Sequence, residues 1–247
     1  MSKTVLITGA TSGIGRATAL AFAKAGYDLL LCARRLEVLE NMKAEFEPEY
    51  GIKVTPFALD VTNRQAVTET LPAVIEKAGG VDILVNNAGL AQGLDAFQES
   101  SIDDIELMIN TNVKGLLYVS RTVLPFMLAK NAGHIINLGS TAGIYAYAKG
   151  AVYCATKAAV KTLSDGIRID TIESDIKVTT IQPGIVETPF SEVRFTVIRK
   201  KRLLYMPAWK RCRRKILRTL SYLPLRSQNA CRFRTLPSWP ISRPPVL

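Results

Sequence analysis

KTVLITGATSGIG, residues 3–15, is the stretch that decides the architecture. Residues 3–8 are a short β-branched and apolar run, which reads as a strand. Thr8-Gly9-Ala10-Thr11-Ser12-Gly13-Ile14-Gly15 follows, and a helical pattern runs from Arg16 to Ala25. Gly9 suits a tight turn, Gly13 lets backbone come close to a pyrophosphate, and Gly15 permits close helix–strand packing. The helix start offers free N–H groups and the positive end of a dipole to phosphate. An ordinary strand-to-helix turn can carry the same glycines, so the rest of the chain must decide between the two.

Outward from this stretch, strands and helices alternate. Strands are expected near 3–8, 28–33, 52–58, 82–86, 133–139 and 177–182, and helices near 14–26, 36–47, 63–78, 101–130 and 151–174. That alternation predicts an α/β doubly wound parallel sheet of Rossmann type. Its near-continuous apolar strands fit a sheet covered on both faces. Ligands of such sheets bind beyond the carboxyl ends of the strands. Gly9, Arg34, Asp60, Asn86, Ser140 and Pro183 all fall at or just after an expected strand end.

A second constellation carries the chemistry. Tyr153 and Lys157 are four residues apart in an expected helix, so they share one face. A cation beside the phenol favours the phenolate and makes Tyr153 a general acid/base. Ser140, thirteen residues before Tyr153, closes a strand and can point at the same spot. This set offers no metal ligand and no acyl nucleophile. It suits proton transfer at a carbinol oxygen and needs a separate hydride carrier. On their own, Tyr153 and Lys157 would read as an amphipathic surface pair. After the second strand, Arg34 and Arg35 stand where a site for a free ribose 2′-hydroxyl usually has an acid. Their charge and forked shape suit a 2′-phosphate, with Thr11 and Ser12 as further hydroxyl donors, and favour NADP. The other reading is a solvated start to the next helix.

Taken in order and at their spacing, TGxxxGIG (8–15), Asp60-Val61, Asn86-Asn87-Ala88-Gly89, Asn112, Ser140, Tyr153-x-x-x-Lys157 and Pro183-Gly184 resemble the short-chain dehydrogenase/reductase family over about residues 1–195. The runs LVNNAGLAQG (84–93), GHIINLGSTAG (133–143) and FSEVRF (190–195) resemble its NADP-dependent 3-hydroxy acid (serine-type) dehydrogenases. The resemblance implies an oxidoreductase that transfers hydride between NADP(H) and a secondary alcohol or ketone. It implies Tyr153 as acid/base, Ser140 as donor to the substrate oxygen, and Lys157 as holder of the nicotinamide ribose. Asn112 is carried over as a helix kink that positions a water for proton relay. Gly9, Thr11, Ser12, Gly13, Ile14 and Gly15 are expected to hold the cofactor phosphates. Asp60 and Val61 are expected at the adenine, with Asn86, Ala88 and Gly89 lining the cleft. Pro183, Gly184, Val186 and Thr188 complete the cofactor-binding set. Arg194 is the candidate for a substrate carboxylate, since Arg can bind one through two bonds. A homo-oligomer is expected if the family C-terminus is intact.

Composition breaks the chain in two. The net charge is +11 overall, yet residues 196–247 hold 14 Lys and Arg with no Asp or Glu. The first 195 residues are left with 18 Lys and Arg against 21 Asp and Glu, a net of −3. All 16 glycines lie in that first part, while both tryptophans and half of the 12 prolines lie in the last 52 residues. One domain, 1–195, is expected to bind NADP and carry the catalytic groups, followed by an aberrant, irregular basic tail at 196–247. The four cysteines, Cys32, Cys154, Cys212 and Cys231, have no zinc or CxxC spacing, and the single His134 has no partner histidine, so no metal site is expected. Reduced thiols, no leader-like apolar run and no span of about 18 apolar residues point to a cytoplasmic protein off the membrane.

The family pattern stops after Phe195. Read from the third base of each codon, the genetic code lets Arg232–Val246 encode ISDITIMANQQATG, which resembles the last strand of the 3-hydroxy acid dehydrogenases. The same shift allows GDKEKAA and then YAGMEALQAEDIA between Thr196 and about Arg218, and PKRVQ just before ISDIT. A frameshift near codon 196 accounts for the break. It predicts a sheet lacking its last strand and leaves open a catalytically impaired remnant. The rival is a nucleotide-binding protein whose basic tail grips nucleic acid or anionic membrane.

Overall fold

The computed structural model describes residues 2–184 and Val186. Fifteen elements alternate along this length. Strands β1 (Thr4–Thr8), β2 (Asp28–Ala33), β3 (Val54–Ala58), β4 (Ile83–Asn86), β5 (Gly133–Leu138) and β6 (Ile176–Ile181) form one sheet in the order β3-β2-β1-β4-β5-β6. Every neighbouring pair is parallel. Helices α1 (Gly13–Lys24) and α2 (Leu36–Tyr50) connect the first half, and α3 (Arg64–Lys77) crosses to β4. Helices α4 (Ile102–Ile109), α5 (Leu116–Ala129) and α6 (Ala151–Asp170) complete the second half. This is the Rossmann-type doubly wound sheet. Chain direction of travel reverses between β1 and β4, where such sheets bind ligands.

Alternation of side chains on buried strands builds two cores. Val5 and Ile7 of β1 join Leu29, Leu31, Phe22, Leu39 and Phe46 beneath α1 and α2. Leu6 points the other way and joins Leu30, Leu71, Ile75, Val119 and Val123 beneath α3 and α5. Full burial on both faces is why these strands read as continuous apolar runs. Pro56 sits in β3, an outer strand, where a missing N–H is tolerated.

Two expected helices differ in extent. The expected helix 101–130 is interrupted: residues Asn110–Gly115 form a π-helical turn between α4 and α5. Gly115 ends this turn in close contact with Val61: a Cβ there would lie 2.8 Å from its Cγ2. The expected helix 151–174 stops at Asp170, and residues 171–173 turn toward β6. Residues 196–247 lie outside the described residues, so the expectations placed on the tail and on a missing last strand fall there too.

Candidate active site

The carboxyl ends of the strands open onto one cleft of about 860 Å³. Gly9, Thr11, Ser12, Gly13 and Ile14 line it along the β1–α1 turn. Gly9 and Gly13 have φ of 63° and 54°, left-handed values that side-chain-bearing residues seldom adopt. Helix α1 starts without a side-chain cap from Ser12 and without an acidic residue in its first turn. Its first N–H groups therefore face the cleft as an anion cradle. Arg34 and Arg35 line the same cleft after β2, both exposed. Nη2 of Arg35 donates to Oγ1 of Thr11 at 3.0 Å, so arginine and glycine turn close one cationic corner. Asp60 and Val61 line the wall beside it. The Asp60 carboxylate accepts from N and Oγ1 of Thr62 at 2.9 and 2.8 Å, which fixes the turn.

The residues expected to transfer protons line the same cleft. Ser140, Tyr153 and Lys157 all line it, with Ala88, Gly89, Pro183, Gly184 and Val186. Tyr153 and Lys157 are one turn apart in α6, and Nζ of Lys157 lies 6.0 Å from the centre of the Tyr153 ring. Lys157 is 6% exposed, and its Nζ donates to the Leu138 carbonyl at 2.7 Å. Burial pushes its amine down to about 8 from the usual 10.5. Oγ of Ser140 accepts from N of Ala142 at 3.1 Å and caps the short 3₁₀ turn Thr141–Gly143. N of Thr141 donates to the Pro183 carbonyl at 3.0 Å, which fastens the turn after β6 to the serine.

Three expected residues stand elsewhere. Asn86 does not line the cleft, a correction of the expectation. It is 4% exposed, and its amide donates to Oγ of Ser120 and Oδ1 of Asn137, each at 2.8 Å. As the last residue of β4 it faces the sheet interior, opposite Asn137 in register. Gly15 also stays out of the cleft. A Cβ there would collide with the Gly9 carbonyl and lie 2.5 Å from Nδ2 of Asn87. Asn112 marks the π turn, but its side chain is committed elsewhere. It accepts from N of Leu90 and donates to the Leu90 carbonyl, both at 2.8 Å, and donates to Oγ1 of Thr156 at 3.1 Å. Thr188 and Arg194 lie outside the described residues.

The reading from sequence missed Asn87. Its Nδ2 donates to the carbonyls of Thr8 and Gly9 at 2.9 and 3.0 Å, and the residue lines the cleft. The Asn-Asn pair at a strand end was the available signal, because only one of two consecutive side chains can face the sheet interior.

The family profile described as short chain dehydrogenase matches residues 3–197. The chain belongs to the short-chain dehydrogenase family. It is 43% identical over 194 residues to an NADP-dependent 3-hydroxy acid dehydrogenase of Schizosaccharomyces pombe, covering 78% of this chain and 75% of the relative. It is 46% identical over 192 residues to the NADP-dependent 3-hydroxy acid dehydrogenase YdfG of Escherichia coli K12, covering 77% of this chain and 76% of the relative. Among solved structures, the closed form of a serine dehydrogenase complexed with NADP+ superposes with a TM-score of 0.73 at 45% identity, over 78% of this chain and 77% of that one. Serine dehydrogenase from Escherichia coli gives 0.70 at 44% identity, over 74% and 83%.

The depressed Lys157 amine has a consequence for stability. Between about pH 8 and 10.5 the unfolded chain keeps a proton on this amine that the folded chain has released. Folding stability therefore gains from Lys157 as pH rises through that window. Urea unfolding at both ends of the window should show the gain, and Lys157→Met should flatten it. An equal slope in both proteins would show that the amine is not depressed.

Proposed function

We propose that this chain is an NADP-dependent oxidoreductase acting on the CH–OH group of a 3-hydroxy acid, serine or a 3-hydroxybutyrate-type acid. One observation supports the reading: Ser140, Tyr153 and Lys157 line the same cleft as an uncapped helix start and Arg34 and Arg35. The residues fit the cofactor. The α1 start and the left-handed Gly9 and Gly13 suit its pyrophosphate, and the arginines with Thr11 suit a 2′-phosphate. Bound there, NADP+ supplies the hydride acceptor. The names of the relatives, NADP-dependent 3-hydroxy acid dehydrogenases, support both cofactor and substrate class.

Tyr153, as phenolate, takes the proton from the substrate hydroxyl while hydride leaves the carbon that bears that hydroxyl. Ser140 donates to the oxygen as it becomes a carbonyl, and the Lys157 cation stabilises the phenolate. Reduction runs the same steps backward, with Tyr153 as acid. Asn112 contributes through the π turn that it anchors, because its amide is already bonded to Leu90 and Thr156. Arg194 is assigned to the substrate carboxylate on the chemistry of its guanidinium. A cytoplasmic location fits the free thiols of Cys32 and Cys154.

Nicotinamide absorbance with serine or 3-hydroxybutyrate should report turnover, and Tyr153→Phe should lower kcat by about a hundredfold or more. Turnover unchanged in that variant would sink the assignment. Arg35→Ala should weaken NADPH binding by about tenfold and leave NADH unaffected, as read by fluorescence titration, since one charge-assisted contact is lost. Equal losses for both cofactors would remove the 2′-phosphate from that corner.

Residues 196–247 are assigned to a shifted reading frame of a family C-terminus. Resequencing codons 190–247, with the intact mass of the native protein, tests this. A missing or extra base restores acidic residues and a strand pattern. A confirmed reading makes the basic tail genuine and revives the impaired remnant and the tail that binds nucleic acid.

A further inference from the structure

Thr156 stands beside Lys157 but faces away from the cleft, 3% exposed. A hydroxyl buried this deeply in a helix is costly unless it is bonded, and valine has nearly the same shape without that cost. Thr156 is bonded on both sides. Its Oγ1 donates to the Tyr153 carbonyl at 2.8 Å and accepts from Nδ2 of Asn112 at 3.1 Å. The second bond reaches from α6 to the π turn. Asn112 in turn grips both backbone groups of Leu90, at 2.8 Å each. Next to Leu90, Gly89 is packed so tightly that a Cβ would lie 3.1 Å from Oδ1 of Asn112 and 3.5 Å from Nζ of Lys157. One hydroxyl therefore closes a loop of contacts: α6, the π turn, the wall after β4, and back to Lys157.

We infer that Thr156 is a positioning residue for the Tyr153–Lys157 pair, its hydroxyl locking the catalytic turn of α6 to the Asn112–Leu90 clamp. The inference rests on the acid/base reading of that pair. Replacing the hydroxyl by a methyl leaves one N–H of Asn112 without its partner and removes the side-chain bond on the Tyr153 carbonyl. The clamp on Leu90 loosens, and phenol and amine lose their fixed depth below the Gly89 wall. Small displacements of this kind cost rate rather than substrate affinity, because alignment matters most in the transition state.

The test compares the full chain with Thr156→Val and Thr156→Ser by two readouts. Hydrogen exchange followed by mass spectrometry should show the peptide carrying the Leu90 N–H exchanging about tenfold faster in the valine variant, with β1 and β2 unchanged. With NADP+ and serine or 3-hydroxybutyrate, valine should lower kcat about tenfold and leave KM within about twofold. Serine, which keeps the hydroxyl, should restore both. A valine variant that matches the parent, a uniform rise in exchange, or identical behaviour of valine and serine would each overturn the inference. Should Tyr153→Phe turn over hydroxy acid as fast as the parent, the acid/base reading falls, and the positioning of that pair falls with it. The exchange difference would then still decide whether Thr156 holds the clamp.

Discussion

The carboxyl ends of β1 and β4 are tied together by one reciprocal contact, and the site depends on it. Oγ1 of Thr8 accepts the N–H groups of Asn87 and Ala88, each at 3.0 Å. Nδ2 of Asn87 returns two bonds, to the carbonyls of Thr8 and Gly9. The two strands are neighbours at the reversal point of the sheet, where their ends would otherwise splay apart to form the crevice. With the contact made, Gly9 is held where its carbonyl leaves no room for a side chain at Gly15. The glycine pattern thus meets two demands: left-handed backbone at Gly9 and Gly13, and bare space at Gly15. Only the first two offer anything to a ligand directly.

A similar division of labour governs the cleft around Tyr153 and Lys157. Helix α6 is joined to β5 by two polar links at adjacent strand positions. Lys157 reaches the Leu138 carbonyl at 2.7 Å, and Nδ2 of Asn137 reaches Oγ of Ser164 at 2.8 Å. Ser164 itself donates to the Val160 carbonyl, so the hydroxyl is satisfied on both sides. The chain of buried amides and hydroxyls continues through Asn86 to Ser120 of α5. Buried polar groups bonded along such a chain fix position well, because a shift of any member strands its neighbours. The same burial that fixes Lys157 strips water from its amine and lowers its pKa. Rigidity and tuned acidity at this lysine have one cause.

The sequence was legible where a local rule has a single structural outcome. The strands of a sheet covered on both faces announce themselves as apolar runs, and the glycine turn and the Tyr153–Lys157 spacing each imply one geometry. It was less legible where the outcome depends on what lies opposite. The helix from 101 widens into a π turn at Asn110–Gly115, and the period of MINTNVKG does not show that Gly115 packs against Val61, far off in the chain, with no room for a Cβ. Asn86 and Asn87 are chemically identical and adjacent, and it is the buried partners Ser120 and Asn137, remote in sequence, that take up the amide of the first. Asn112 was placed at the right bend, yet its amide proved to serve Leu90 and Thr156, partners that no spacing reveals.

Net charge is a poor guide to where this molecule would bind an anion. The whole chain carries +11, but that excess sits in residues 196–247, and the first 195 residues sum to −3. A phosphate-rich ligand would nonetheless be drawn to one place on that acidic domain. There the uncapped start of α1 presents N–H groups, and Arg34 and Arg35 stand at the mouth. Local dipoles and two guanidinium groups outweigh a distributed negative charge, because the many surface acids are screened by salt over about 8–10 Å. The basic tail is therefore unnecessary to account for an anionic ligand. The groups that would hold the phosphates come from the first two strand ends, well before the composition changes.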